Sequence, residues 1–242
     1  MNIKKFSTAV SMAEAAGEHI IELVKKKPES LLCFAGGETP LLTLNYLVEA
    51  ALKGKVDFGK CSFVGLDEWV GLGRETKGSC RQTLFDYFFD RVPELTDSQI
   101  CFFDGLANDL DAECKRVDEF IAKHGVIDFM LLGIGMNGHL GFNEPGVPTD
   151  KYCHVVDLDS VTKKVSVKYF DEEVNVSKGI SLGIKHIMEA TEVMLMAYGE
   201  KKADIVKRTI DTEPTSDVPS TLAKNSKNAV MFIDEAAGSQ LN

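Results

Sequence analysis

No cysteine of this 242-residue chain stands in a C-x-x-C pair, no apolar run approaches membrane-spanning length, and positive charge is in short supply. Each shortfall removes a class of protein. The six cysteines, at 33, 61, 80, 101, 114 and 153, are scattered, and several sit in apolar runs such as Leu31-Leu32-Cys33-Phe34. They read as small buried hydrophobes rather than as a disulfide framework. The longest apolar stretch, Phe129 to Met136, contains two glycines and cannot span a bilayer. The first twenty residues lack the roughly 7–15-residue apolar core of a signal peptide, so a reducing, cytoplasmic setting is expected. With 27 Lys and Arg against 37 Asp and Glu, the net charge of −10 leaves no broad basic field for nucleic acid. Neither a nucleic-acid nor a membrane partner is expected. A small anionic ligand needs only local donors and stays compatible with that balance.

What is present is an ordinary globular composition arranged in a regular grammar. Apolar residues make up 44% of the chain, enough to fill a core without staples. Val10, Ala13, Ala16, Ile20, Leu23 and Val24 recur at helical spacing, and Pro28 stops that helix. Leu31 to Ala35 reads as a buried strand, and Thr39 as N-cap with Pro40 at the first helical position starts a helix to about residue 52. Cys61 to Leu66, Ile100 to Phe103, Ile127 to Leu132, Glu192 to Tyr198 and Ala229 to Ile233 read as further strands. Between them helices are predicted from Ser79, over 108–123, over Lys178 to Ala190 and over Glu200 to Ile210. The alternation predicts an α/β fold: a three-layer, Rossmann-like open sheet, mainly parallel, with helices on both faces. One domain spans 1–242, with a candidate lid around 145–175. In such a sheet ligands sit beyond the carboxyl ends of the strands, which selects the loops at 36–39, 65–68, 133–144 and 199–202.

Four loops therefore carry the chemistry. In the first, Gly36, Gly37, Glu38 and Thr39 join a strand to a helix start, where exposed N–H groups favour a phosphate; an ordinary tight turn would look the same. The second places Asp67 beside Glu68, two carboxylates of which one would face a ligand and could move a proton between adjacent atoms. The third, Gly133 to Gly146, surrounds Asn137, His139, Asn143 and Glu144 with glycines. His139 and Glu144 lack metal-site spacing, whereas a carboxylate beside an imidazole fixes its tautomer and raises its basicity. His19, His124, His154 and His186 read as structural or exposed. The fourth loop sets Lys202 near a helix N-terminus, a placement that an anion would explain.

Taken together, AGGETP, GLDEWVG, GIGMNGHLGFNEPG and the later Gly199-Glu200-Lys201-Lys202-Ala203 resemble the glucosamine-6-phosphate deaminase family and its galactosamine-6-phosphate relatives. The likeness runs in order through almost the whole chain, and the third motif is the specific one. Related sugar lactonases share the fold, but their histidine loop continues in a DGHTASLFP-like way, unlike the Leu140-Gly141-Phe142-Asn143-Glu144-Pro145 found here. The resemblance implies that Asp67 is the base shuttling a proton between C2 and C1, with Glu68 its neighbour. It implies that His139 opens the pyranose ring, that Glu144 is its acidic partner and that Asn137 orients it. Gly36, Gly37, Glu38, Thr39, Lys168 and Lys202 would hold the substrate phosphate. The implied reaction converts glucosamine 6-phosphate and water to fructose 6-phosphate and ammonia with no cofactor and no metal.

Two departures bear on the substrate. Lys168 stands where many members use arginine, and residues 72–80 replace a His-Pro-containing stretch, so a galactosamine 6-phosphate substrate giving tagatose 6-phosphate is an alternative. Sugar-lactone hydrolysis and a silent sugar-phosphate sensor are lesser ones. The chain ends soon after its last strand, without the tail of hexameric, allosteric relatives, so a monomer or small homo-oligomer is expected.

Overall fold

The computed structural model describes residues 1–166, 170 and 176–241. Seven strands form one wholly parallel sheet: β1 (Asn2–Phe6), β2 (Leu31–Phe34), β3 (Ser62–Gly65), β5 (Ile100–Cys101), β6 (Phe129–Gly133), β9 (Glu192–Ala197) and β10 (Ala229–Asp234). Their order is β1-β10-β9-β6-β2-β3-β5. Period-two alternation sends Leu31, Cys33, Met130, Leu132, Val193 and Leu195 to one face, and Leu32, Phe34, Phe129, Leu131, Met194 and Met196 to the other. The first face is covered by α4 (Leu110–His124), α6 (Ile184–Glu189) and α7 (Ala203–Asp211), the second by α1 (Ala9–Lys26), α2 (Leu41–Leu52) and α3 (Cys80–Tyr87). This is the three-layer, Rossmann-like arrangement that the strand–helix alternation implies.

Several local expectations are corrected. Thr39 does not cap α2: Pro40 is the N-cap, without a side-chain bond, and the first turn closes through the Leu41 N–H to the Glu38 carbonyl at 3.2 Å. Lys178 to Ala190 is not one helix. Its first part is strand β8 (Lys178–Ser181) and only Ile184–Glu189 is helical, because Leu182 and Gly183 turn the chain between them. Asp67 and Glu68 do not lie in a plain turn either. After Leu66 the chain leaves the main sheet and enters β4 (Asp67–Trp69), which pairs antiparallel with β8, itself paired antiparallel with β7 (His154–Asp157). This second sheet escaped prediction because its strands are three or four residues long and β4 pairs with β8 across more than a hundred positions of sequence. It rests on a small cluster of Trp69, Leu72, Phe142 and Leu158, with the Trp69 and Phe142 rings 4.5 Å apart.

The strand order decides where a ligand can sit. From β2 the chain proceeds outward through β3 to β5, and from β6 outward in the opposite direction through β9 and β10. The switch point lies between β2 and β6. Crossovers leave there to opposite faces and open a crevice beyond the carboxyl ends of both strands.

Candidate active site

The crevice is bordered by the loop after β2, residues 36–39, and by the loop after β6, residues 134–144. The latter begins Gly133-Ile134-Gly135-Met136-Asn137-Gly138, which spells G-x-G-x-x-G after a strand. No helix follows it, so it offers no helix N-terminus to a pyrophosphate. Instead the chain folds back on itself, with the Gly135 N–H bonded to the His139 carbonyl at 3.0 Å, and the His139 ring lies directly over Gly135. A Cβ on residue 135 would overlap that ring. Gly135→Ala is therefore expected to displace the imidazole and to destabilise the fold by about 1–3 kcal/mol, the usual cost of overpacking. A lower urea midpoint at unchanged slope would register it.

Around His139 the sequence candidates converge. His139 Nδ1 lies 3.2 Å from Glu144 Oε2, and Asn137 ties the pair together: its Nδ2 donates to Glu144 Oε2 at 2.8 Å while its Oδ1 accepts the His139 N–H at 3.2 Å. Burial would raise the Glu144 carboxyl, but bonds and charge from His139, with help from Thr162 and Asn137, hold it below the usual glutamate range. Glu144 is thus an anion over the working pH range. It sets the Nδ1–H tautomer and leaves the Nε2 lone pair as the proton acceptor. Two contributors escaped sequence reading. Thr162, on α5 (Ser160–Ser166), brings its hydroxyl within 3.1 Å of His139 Nδ1, and the Asp159 N–H reaches Glu144 Oε1 at 3.4 Å. Neither sits in a recognisable motif; both arrive from the candidate lid region.

Asp67 faces the same loop. Gly141, at φ +59°, comes so close that a Cβ there would stand 3.3 Å from Asp67 Oδ2 and 2.8 Å from Ser181 Oγ, and the left-handed backbone would itself be strained in any other residue. The Phe142 N–H donates to Ser181 Oγ at 3.2 Å, so β8 clamps the histidine loop beside Asp67. Asp67 is buried, and burial pushes its carboxyl up to about 6, with a Cys80 hydrogen bond and the His139 charge pulling the other way. Such a group is an effective proton acceptor near neutral pH.

Its neighbour has a different task. Glu68 is 1% exposed and accepts the N–H groups of Trp69 at 2.8 Å, Cys80 at 3.0 Å and Arg81 at 2.9 Å, pinning the start of α3 to β4. Burial pushes it up to about 7 against those donors. Its oxygens are occupied by the backbone. Of the two adjacent carboxylates only Asp67 is thus turned to the histidine loop, and Glu68 supports it structurally.

The anion-binding candidates partly assemble. Gly36 lies against the Cys80 backbone, Gly37 faces open space, and the Thr39 side chain packs against Gly133 at the end of β6. From the end of β9, Lys202 reaches across to the Ile134 carbonyl. Strand ends β2, β6 and β9 thereby bring 36–39, the start of the histidine loop and Lys202 to one rim. Lys168 lies outside the described residues. Arg74, in the atypical 72–80 stretch, turns to Asp90 at 3.2 Å and stacks on Phe85, 3.7 Å from its ring centroid.

Comparison with known proteins places the chain in a family. A family model described as glucosamine-6-phosphate isomerases/6-phosphogluconolactonase matches residues 4–232. The glucosamine-6-phosphate deaminase of Enterococcus faecalis is 39% identical over 236 residues, covering 96% of this chain and 98% of its own. That of Streptococcus suis is 40% identical over 212 residues, covering 87% of each. A solved structure of a monomeric glucosamine-6-phosphate deaminase is similar at a TM-score of 0.95 and 30% identity, covering 99% of both chains. The 6-phosphogluconolactonase of Trypanosoma brucei, at 19% identity and a TM-score of 0.78 over 100% of this chain and 98% of its own, shares the fold.

Proposed function

The chain belongs to the family of glucosamine-6-phosphate isomerases and 6-phosphogluconolactonases and is an enzyme of amino-sugar metabolism, from which we propose that it converts glucosamine 6-phosphate and water to fructose 6-phosphate and ammonia. The observation that carries this reading is a buried carboxylate, Asp67, set against the loop that bears the imidazole–carboxylate dyad of His139 and Glu144, at Gly141 of that loop. One group can take a proton from carbon while the other handles oxygen.

In the proposed sequence His139 Nε2, its ring oriented by Glu144 at Nδ1, transfers the anomeric hydroxyl proton to the ring oxygen, and the pyranose opens to an aldehyde. Asp67 then removes the C2 proton, forming an enolamine, and returns it to C1, which leaves an iminium at C2. Water adds there and ammonia departs, giving the ketose. Residues 36–39 and Lys202 hold the phosphate end, so that the reacting carbons rest against Asp67; such positioning supplies a large share of the rate. Lys168 is proposed to add a point charge to the same phosphate. A monomer or small homo-oligomer in the cytoplasm fits this role.

Incubating the enzyme separately with glucosamine 6-phosphate, galactosamine 6-phosphate and 6-phosphogluconolactone, and measuring ammonia and acid release, tests the proposal. Ammonia from the glucosamine compound at the highest kcat/KM supports it. Turnover of the galactosamine epimer alone, or acid from the lactone without ammonia from either sugar, overturns it.

A further inference from the structure

Outside the His139 network, one group of three potential metal-ligating side chains occurs among the described residues: Asp118, Cys153 and His186. They come from α4, from the residue before β7 and from α6, three elements far apart in sequence. Their donor atoms all lie within 4.8 Å of one another. His186 Nε2 is 2.7 Å from Asp118 Oδ1 and 3.8 Å from Cys153 Sγ, and the Cys153 N–H holds the same Asp118 oxygen at 3.1 Å. This is not the relay of a nucleophilic triad, in which acid and nucleophile engage opposite ring nitrogens. Here both approach Nε2, and the three donor atoms cluster on one side of the ring.

We propose that Asp118, Cys153 and His186 bind a borderline-soft divalent cation, zinc(II) by donor type, with solvent completing the coordination. One carboxylate, one imidazole and one thiolate form a donor set suited to zinc. Tetrahedral zinc with bonds of about 2.0 Å to N and O and 2.3 Å to S sets the O–N edge at roughly 3.3 Å and the N–S edge at roughly 3.5 Å. The sulfur–imidazole edge must close by about 0.3 Å and the Asp118–His186 edge must open by about 0.6 Å, exchanging a hydrogen bond for two coordinate bonds. As the Zn–S and Zn–N bonds form, the Cys153 S–H proton leaves to solvent and the Nε2 proton that His186 donates to Asp118 is exchanged through solvent onto Nδ1, so that the neutral imidazole coordinates through Nε2.

The surroundings give the ion a route and a field. Asp118 and His186 line a cavity of ≈ 300 Å³ whose wall includes Tyr152, Glu119, Glu189 and Lys115. Its carboxylates outnumber its lysine, although Lys185 also stands 4.3 Å above the Tyr152 ring. Tyr152 packs against His186 with ring centroids 4.7 Å apart and limits its movement. Binding would be felt at the catalytic loop. Next to Cys153, His154 Nε2 lies 3.0 Å from Asn143 Oδ1, and Asn143 Nδ2 donates at 2.8 Å to the carbonyls of both Leu140 and Leu182. A cation that fixes Cys153 thereby fixes the residue preceding Glu144.

The test uses the full-length, chelator-treated protein kept reduced. Zinc titration against a competing chromophoric chelator is expected to show one tight site, with a rise in Tm of roughly 5–10 °C at a hundredfold excess over Kd. Cobalt(II) in its place should give a thiolate-to-metal charge-transfer band. Cys153→Ser should abolish that band, and both Cys153→Ser and His186→Asn should weaken zinc by at least roughly 100-fold, the upper end of what even an outer-shell loss costs. Asp118→Asn provides a third variant should either of these fail to fold, as judged by circular dichroism. His139→Gln should bind zinc as the parent does. No saturable site in the parent protein, binding retained in the folded variants, or binding lost on changing His139 overturns the proposal.

Discussion

Asp67→Asn is expected to lower turnover by roughly 10³–10⁴-fold, the upper range for removing a positioned general base, and to abolish exchange of the substrate C2 proton with solvent. Affinity for a phosphate-bearing inhibitor should change little, because Asp67 faces the histidine loop at Gly141 whereas Lys202 reaches the Ile134 carbonyl. Deuterium incorporation followed by NMR separates these effects; exchange retained at the parent rate would place the base elsewhere. In the parent enzyme kcat/KM should fall about tenfold per unit as pH drops below about 6, where Asp67 takes up its proton.

The same substitution carries a stability signature of opposite sign. Burial raises Asp67 from 3.8 to about 6, so between those values the folded protein holds a proton that the unfolded chain has released. Stability from this group is present below pH 4 and lost as pH rises through 6. Two pH units correspond to about 3 kcal/mol. Asp67→Asn escapes that loss: relative to the parent it should gain up to about 3 kcal/mol between pH 4 and pH 7, read from urea midpoints at each pH. A flat difference across that range would show that the carboxyl is not destabilised by burial. An enzyme that retains an uncomfortable buried carboxylate for the sake of its chemistry is the physical content of the result.

His139→Gln is expected to reduce turnover of the cyclic substrate by about 10²–10³-fold, as for loss of an acid–base catalyst. Turnover of an analogue held in the open-chain form should fall less than about tenfold, since Asp67 still performs the C2-to-C1 transfer. Equal losses on both would contradict a ring-opening role. Gln keeps a polar group beside Glu144, and so avoids stranding the carboxylate that Asn137 and Thr162 also hold. The fold should therefore survive with a near-parental Tm, which isolates the chemical effect from the structural one.

Much of this architecture was legible in the residues because its signals are local. Alternation along Leu31–Phe34 and Phe129–Gly133, glycine after each strand, and the Ser79 cap of α3 each depend on a few neighbours. The neighbourhood of His139 and Glu144 was legible for the same reason, since both lie within one short loop, whereas the part of Asn137 in their network was implied by the family resemblance. Expectation failed where long-range pairing outweighed local preference. Lys178 to Ser181 became a strand by pairing with Asp67–Trp69 and His154–Asp157. Which of Asp67 and Glu68 faces the ligand had no local signal, and backbone N–H groups of α3 claimed Glu68. Thr39 lost its capping place to Pro40, while its side chain settled against Gly133.

The sequence by itself determined the α/β class, the strand-end loops and the dyad of His139 with Glu144, because backbone propensity, side-chain alternation and glycine's conformational range act over a few residues. Only the tertiary structure decided which of two adjacent carboxylates faces the loop of that dyad, that Thr162 and Asp159 complete it, and that the donor atoms of Asp118, Cys153 and His186 come within 4.8 Å of one another. Those decisions rest on contacts between elements tens of residues apart. They are set by the switch in strand order between β2 and β6 and by the small antiparallel sheet that locks β4 to β8, and neither leaves a signature within a single stretch of chain.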